Sequence, residues 1–156
     1  MRNVIKAAIV ALVIALATPL AAQDFDAGME AYQRGDYTAA LSEFRPLADQ
    51  GLATAQTNLG IMYHDGLGVP QDFAEAIMWY EKAAIQGNVF AFYNLGLMYA
   101  KGNAVARDVV LALMWWTLAA SQGDWAAIRD RNIMAREMSP EQIAKAQILA
   151  REWAPK

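Results

Sequence analysis

The chain has no cysteine. That excludes disulfides and thiolate metal sites, so an apolar core must hold the fold. One histidine, His64, is too few for a metal cluster or a histidine-based triad. The three serines, Ser42, Ser121 and Ser139, lie in no nucleophile motif. Basic residues are also in deficit, 13 against 16 acids. Nucleic acid needs a basic footprint, so it is excluded as a partner. Anionic membrane surfaces are disfavoured for the same reason. No cofactor motif is present. Gly66-Leu67-Gly68 before a helix is a weak phosphate-loop match, because no strand precedes it and Asp72 puts negative charge at the helix start.

Long apolar runs occur once. Met1–Lys6 carries Arg2 and Lys6, Ala7–Ala17 is unbroken apolar, and Thr18–Ala22 ends in small residues. This is the layout of a secretory signal peptide over residues 1–22, with cleavage after Ala22 or Ala21. The run is 11 residues, short of the ~20 that a membrane span needs. Stable membrane insertion after signal removal is therefore not expected, and a periplasmic location is, given a Gram-negative source. Removal of Arg2 and Lys6 leaves 11 basic and 16 acidic residues, a formal charge of −5. The acidity is uneven, with residues 23–123 at −6 and residues 124–156 at +1.

What the chain has is a repeat. Leu52–Gly87 lies on Asn88–Gly123 at a shift of 36 residues without a gap, with 16 identities. A period of that size means a unit that cannot bury its apolar face alone and stacks on copies of itself. Each unit reads as two helices. Ala53–Asp65 carries Ala55, Leu59, Met62 and Tyr63 on one stripe. A breaker cluster, Gly66–Gln71, follows. Asp72 caps the second helix, with Glu75 as a capping-box partner, and Gly87 ends it. Ala76, Trp79, Tyr80, Ala83 and Ala84 form its main stripe. Met78 and Ile85 lie off it, which predicts burial on two sides. The next unit runs Phe90–Lys101, Gly102–Arg107 and Val109–Gln122. Its Leu111 in place of Glu75 predicts a weaker helix start.

A shorter copy occupies residues 25–51, helices Phe25–Arg34 and Tyr37–Gln50, with Pro46 expected to kink the second. Residues 124–156 read as a capping pair: Trp125–Met138, then a helix opened by Ser139-Pro140-Glu141-Gln142. Arg131 stands where Leu59 and Leu95 stand in the repeats, as suits a terminal unit with no neighbour beyond it. The units together make one domain, residues 23–156.

Ala55, Leu59-Gly60, Tyr63, Gly66-Leu67-Gly68-Val69, Asp72, Ala76, Trp79-Tyr80, Ala83-Ala84 and Gly87 resemble the Sel-one-like repeat (SLR) family of the tetratricopeptide-repeat superfamily. The third unit departs from the pattern at Ala104 and Trp116. The resemblance implies an all-α fold, a short right-handed α-solenoid of antiparallel helix pairs. It also implies a scaffold or adaptor that binds another protein or peptide, and no catalytic residue travels with it. Lactam-hydrolysing relatives are cysteine-rich, so that activity does not carry over. A structural spacer or self-association element in the envelope is the alternative, and an envelope-polymer hydrolase a more remote one.

The first helix of each pair lines the concave face in that superfamily. Residues there that differ between repeats should carry specificity: Thr54, Thr57, Ile61, His64 and Asp65 in one unit, Phe90, Tyr93, Leu97, Ala100 and Lys101 in the next. Asn58 and Asn94 recur, either to hold an extended peptide backbone or to satisfy backbone groups of an adjacent helix. The expected partner site is therefore Thr54, Thr57, Asn58, Ile61, Phe90, Tyr93, Asn94, Leu97 and Lys101. Trp79 and Trp115 recur and are expected in the core, whereas Trp116 and Trp125 are expected as exposed anchors. The intact mass of the exported protein should begin at Gln23 or Ala22, and a membrane-bound form that keeps Met1 would refute the signal.

Overall fold

The computed structural model describes residues 24–153; the expected signal lies outside them. Those residues form eight helices and no strand: α1 (24–33), α2 (Tyr37–Asp49), α3 (Ala53–Asp65), α4 (Phe73–Ile85), α5 (Val89–Lys101), α6 (Val109–Ser121), α7 (Trp125–Ala135) and α8 (Pro140–Glu152). Each helix packs on the one before it through α7, and the tightest partners are α3 with α4 and α5 with α6.

Close approach within a pair has a specific cause. Gly28, Gly60 and Gly96 sit on the first helices, and Phe44, Tyr80 and Trp116 sit opposite on the second. A Cβ on Gly28 would meet the Phe44 ring at 2.6 Å, and one on Gly60 or Gly96 would collide with Tyr80 or Trp116. A mid-helix glycine costs ~1 kcal/mol relative to alanine, and the buried ring offsets it. Each ring lies eight residues beyond its helix cap, Asp36, Asp72 or Asp108. Trp116 is thus 4% exposed, with its Nε1 donating to the Tyr93 carbonyl at 3.2 Å. The expectation of an exposed Trp116 is corrected: it holds the Tyr80 position and fills the space over Gly96.

Trp79 and Trp115 are buried as expected, and Trp125 is 71% exposed. Two-sided burial of α4 comes from Trp79 and Tyr80, adjacent residues that serve two different core clusters. It does not come from Ile85, which is 40% exposed. Burial raises the Tyr80 hydroxyl pKa well above the usual tyrosine value.

The caps hold, but not as a box. Asp72 accepts from the amides of Ala74 and Glu75, and Asp108 from those of Val110 and Leu111. The Asp72 amide itself donates to the Tyr63 carbonyl across the loop, and the Asp108 amide to Tyr99. Glu75 has no cap amide left to close a box with, so what Leu111 gives up is the first-turn acid beside the helix N-terminus. Ala104 keeps the left-handed backbone of the glycine it replaces, φ 58°, beside Gly68 at 70°. α2 runs through Pro46 to Asp49, and α7 stops at Ala135, short of the expected Met138. The full capping box at Ser139, closed by Gln142, is present.

The last pair differs. Eight residues beyond the caps Asp124 and Ser139 stand Asn132 and Gln147, neither small nor aromatic. Both α7 and α8 pack on α6 and barely on each other. Gly96→Ala should therefore lose ~1–3 kcal/mol through collision with Trp116, despite its better helix propensity. Asn132→Ala in the same register should stay within about 0.5 kcal/mol of the parent. Chemical denaturation measures both, and an unchanged midpoint for Gly96→Ala would remove the close-approach explanation.

Candidate functional site: a groove across the first helices

Because the inward faces of α3 and α5 are spent on the core, their opposite faces lie side by side with α1. An open groove of about 330 Å³ crosses all three. Phe25 and Met29 line it from α1, Thr54, Thr57, Asn58 and Ile61 from α3, and Asn88, Phe90 and Asn94 from α5. No charged side chain is among them. Its wall is mostly apolar, and Phe90 is 61% exposed.

The polar groups have assigned directions. Asn58 Nδ2 donates to the Thr54 carbonyl at 3.1 Å, and Asn94 Nδ2 to the Phe90 carbonyl at 2.8 Å. Each asparagine satisfies a carbonyl of its own helix, four residues back, rather than one on an adjacent helix. That bond fixes the amide and leaves its oxygen free to accept. The Thr57 hydroxyl donates to the Ala53 carbonyl at 3.0 Å. Asn88 caps α5 through its oxygen, accepting from the Ala91 amide at 3.0 Å, so its NH2 remains a donor. The groove thus offers two amide acceptors and one amide donor within an apolar trough.

Six of the nine expected residues meet here: Thr54, Thr57, Asn58, Ile61, Phe90 and Asn94. The structure does not bring Tyr93, Leu97 or Lys101 to the groove. The Tyr93 hydroxyl reaches the other way and donates to Asp130 Oδ2 on α7 at 3.0 Å. Leu97 is half-buried against the core, and Lys101 is exposed at the end of α5. Phe25, Met29 and Asn88 were not expected. The first two were legible: with Gly28 set on Gly60, Phe25 takes the place of Thr57 and Met29 that of Ile61.

His64 packs its ring on Phe73 and places Nδ1 beside the Asp65 carboxylate. Among the described residues no cluster of three His, Cys, Asp or Glu is placed to hold a metal, and no helix is long and apolar enough to cross a membrane. Outside the groove, Arg129 lies over the exposed Trp125 ring at 5.2 Å while its Nε donates to Asp130 Oδ1 at 2.7 Å.

Residues 53–88 and 90–124 match the family model of the Sel1 repeat. The chain carries two Sel1 repeats. Two solved structures share its fold. One is a protective antigen present in uropathogenic Escherichia coli strains and displaying an SLR fold, at TM-score 0.80, 30% identity and 85% of this chain. The other is a Sel1 repeat protein from Oxalobacter formigenes, at TM-score 0.68, 31% identity and 80% of this chain. The α-solenoid expected from the residues is the observed fold. DAP3-binding cell death enhancer 1 of Rattus norvegicus is 44% identical over 51 residues, 33% of this chain, and the Mus musculus protein is 46% identical over 50 residues, 32% of this chain. The chain spans about 10% of the length of those curated relatives and 29% and 54% of the two solved chains. Sel1 repeats generally serve as non-catalytic protein-interaction scaffolds.

Burial and the hydrogen bond to Asp130 raise the Tyr93 pKa above its ordinary value of 10. The neutral form is the one favoured in the fold, so this contribution to stability is present below pH 10 and lost as pH rises through the raised value. Tyrosinate absorbance titrated in the parent and in Tyr93→Phe should differ by a component above pH 10. A missing component at or below pH 10 would contradict the assignment.

Proposed function

We propose that the chain is exported to the periplasm and works there as a small protein- or peptide-binding scaffold for an envelope or signalling partner. The groove across α1, α3 and α5 is the binding site. The observation that carries this reading is an apolar trough that lies open among the described residues, with amide groups of Asn58, Asn94 and Asn88 along it. A segment of partner chain in extended form suits it. Its backbone amides would donate to the Asn58 and Asn94 oxygens, one of its carbonyls would accept from Asn88, and an apolar side chain would settle between Met29, Ile61 and Phe90. The relative named as DAP3-binding supports a protein as the partner class. No acid–base pair, nucleophile or metal set enters the groove, and binding without chemistry is the reading that the residues support.

A photo-crosslinking residue at position 90 should capture a distinct partner in cells. The same probe at position 81, on exposed Glu81 of α4, should capture much less of it. Asn58→Ala should reduce the position-90 product severalfold. Equal capture from both positions would sink the groove reading, and capture of the chain by itself alone would favour a spacer or self-association element.

A further inference from the structure

The repeat that builds one groove should build a second between α5 and α7. Advance the α3 residues Thr57, Asn58 and Ile61 by one period, and Tyr93, Asn94 and Leu97 stand on α5. Advance Asn94 in the same way, and the opposite wall carries Asp130 on α7. The open groove depends on Thr57 being small. It is 4% exposed, and its hydroxyl folds back onto its own helix. Its successor Tyr93 is large and does not fold back. Its ring lies against the core cluster and its hydroxyl spans to Asp130 Oδ2 at 3.0 Å. Asp130 is itself held from the solvent side by Arg129 Nε at 2.7 Å.

Resting on the groove as a binding site, we propose that Tyr93, anchored by Asp130, is a stop that closes the second groove and so sets the length of the segment this chain binds. Its role is positioning and specificity, and it touches no bound segment in the first groove. The first groove spans two steps of the stack. At ~10 Å per step and ~3.3 Å per extended residue, it holds a segment of about six residues. With Thr in place of Tyr93, the trough runs on toward α7. The bound segment then gains a further two or three residues and another apolar contact.

Two measurements test this, one of them independent of any peptide. Crystals of the parent and of Tyr93→Thr are soaked in 2-propanol, a small amphipathic probe. The probe should occupy the α1–α3–α5 groove in both, and the α5–α7 groove only in the variant. Probe in the α5–α7 groove of the parent, or none there in the variant, overturns the stop. Then peptides selected from a random displayed library on the purified protein are lengthened residue by residue. For the parent, affinity should stop rising near six residues. For Tyr93→Thr it should rise further, by roughly tenfold or more if one large apolar side chain is newly buried. Asp130→Ala leaves α5 untouched and should move the length dependence in the same direction, which guards against a Thr variant that folds poorly. Identical length dependence in all three proteins overturns the proposal. Selected peptides that bind Asn58→Ala and Phe90→Ala as well as the parent would instead remove the groove as the binding site, while the 2-propanol result still decides whether Tyr93 closes the second trough.

Discussion

Contact between a bare glycine backbone and a buried aromatic ring is the constraint on which the rest of this structure depends. It occurs three times, at Gly28 with Phe44, Gly60 with Tyr80 and Gly96 with Trp116. Without a side chain on the first helix, the second can press its ring onto the backbone, and a well-packed interior then follows. The small residues Ala76, Ala83 and Ala84, and Ala112 and Ala119, let the neighbouring turns close around that contact. The first helix thereby spends its inner face on its own partner. Its outer face is free of that contact; Asn58 and Asn94 recur there, Thr54 and Phe90 differ, and the groove lies along it.

The joints between pairs use different chemistry. Buried Gln56 donates to the Ala48 carbonyl at 3.1 Å and accepts from Gln86 at 2.9 Å, which ties α2, α3 and α4 at one end. In the next unit Phe92 replaces Gln56, and Gln122 bonds the Gly87 carbonyl at 3.2 Å. Polar groups buried at such joints must find partners, and in both units a glutamine at the end of the second helix closes the joint. The last pair has neither glycine nor ring at the equivalent positions. Its helices lie separately on α6, and Arg131 at the position of Leu59 and Leu95 is half-exposed.

The repeat made most of this legible. Two gapless copies placed the helices, the loops and the caps Asp72 and Asp108 within a residue or two, because local chemistry and tertiary packing agree there. Trp116 is the exception: its departure from tyrosine reads as divergence, yet its register assigns it to the ring over Gly96. The capping box failed on a bond outside the local window, from the Asp72 amide to Tyr63 across the loop. In the groove, α3 and α5 contributed as the variable positions indicated, but Phe25 and Met29 required the short copy to be set on Gly28. Tyr93 could not be placed from its own repeat at all. Its partner Asp130 lies in the divergent terminal unit, where the period places the position opposite but not the acid that fills it.

The central claim is that each glycine exists for the ring that faces it. A double-mutant cycle on Gly96→Ala and Trp116→Ala measures that directly. The account predicts that the alanine at position 96 is destabilising beside Trp116 and nearly neutral once the ring is removed, a coupling of about 1–3 kcal/mol. Additive losses, with position 96 costing the same in both backgrounds, would contradict it.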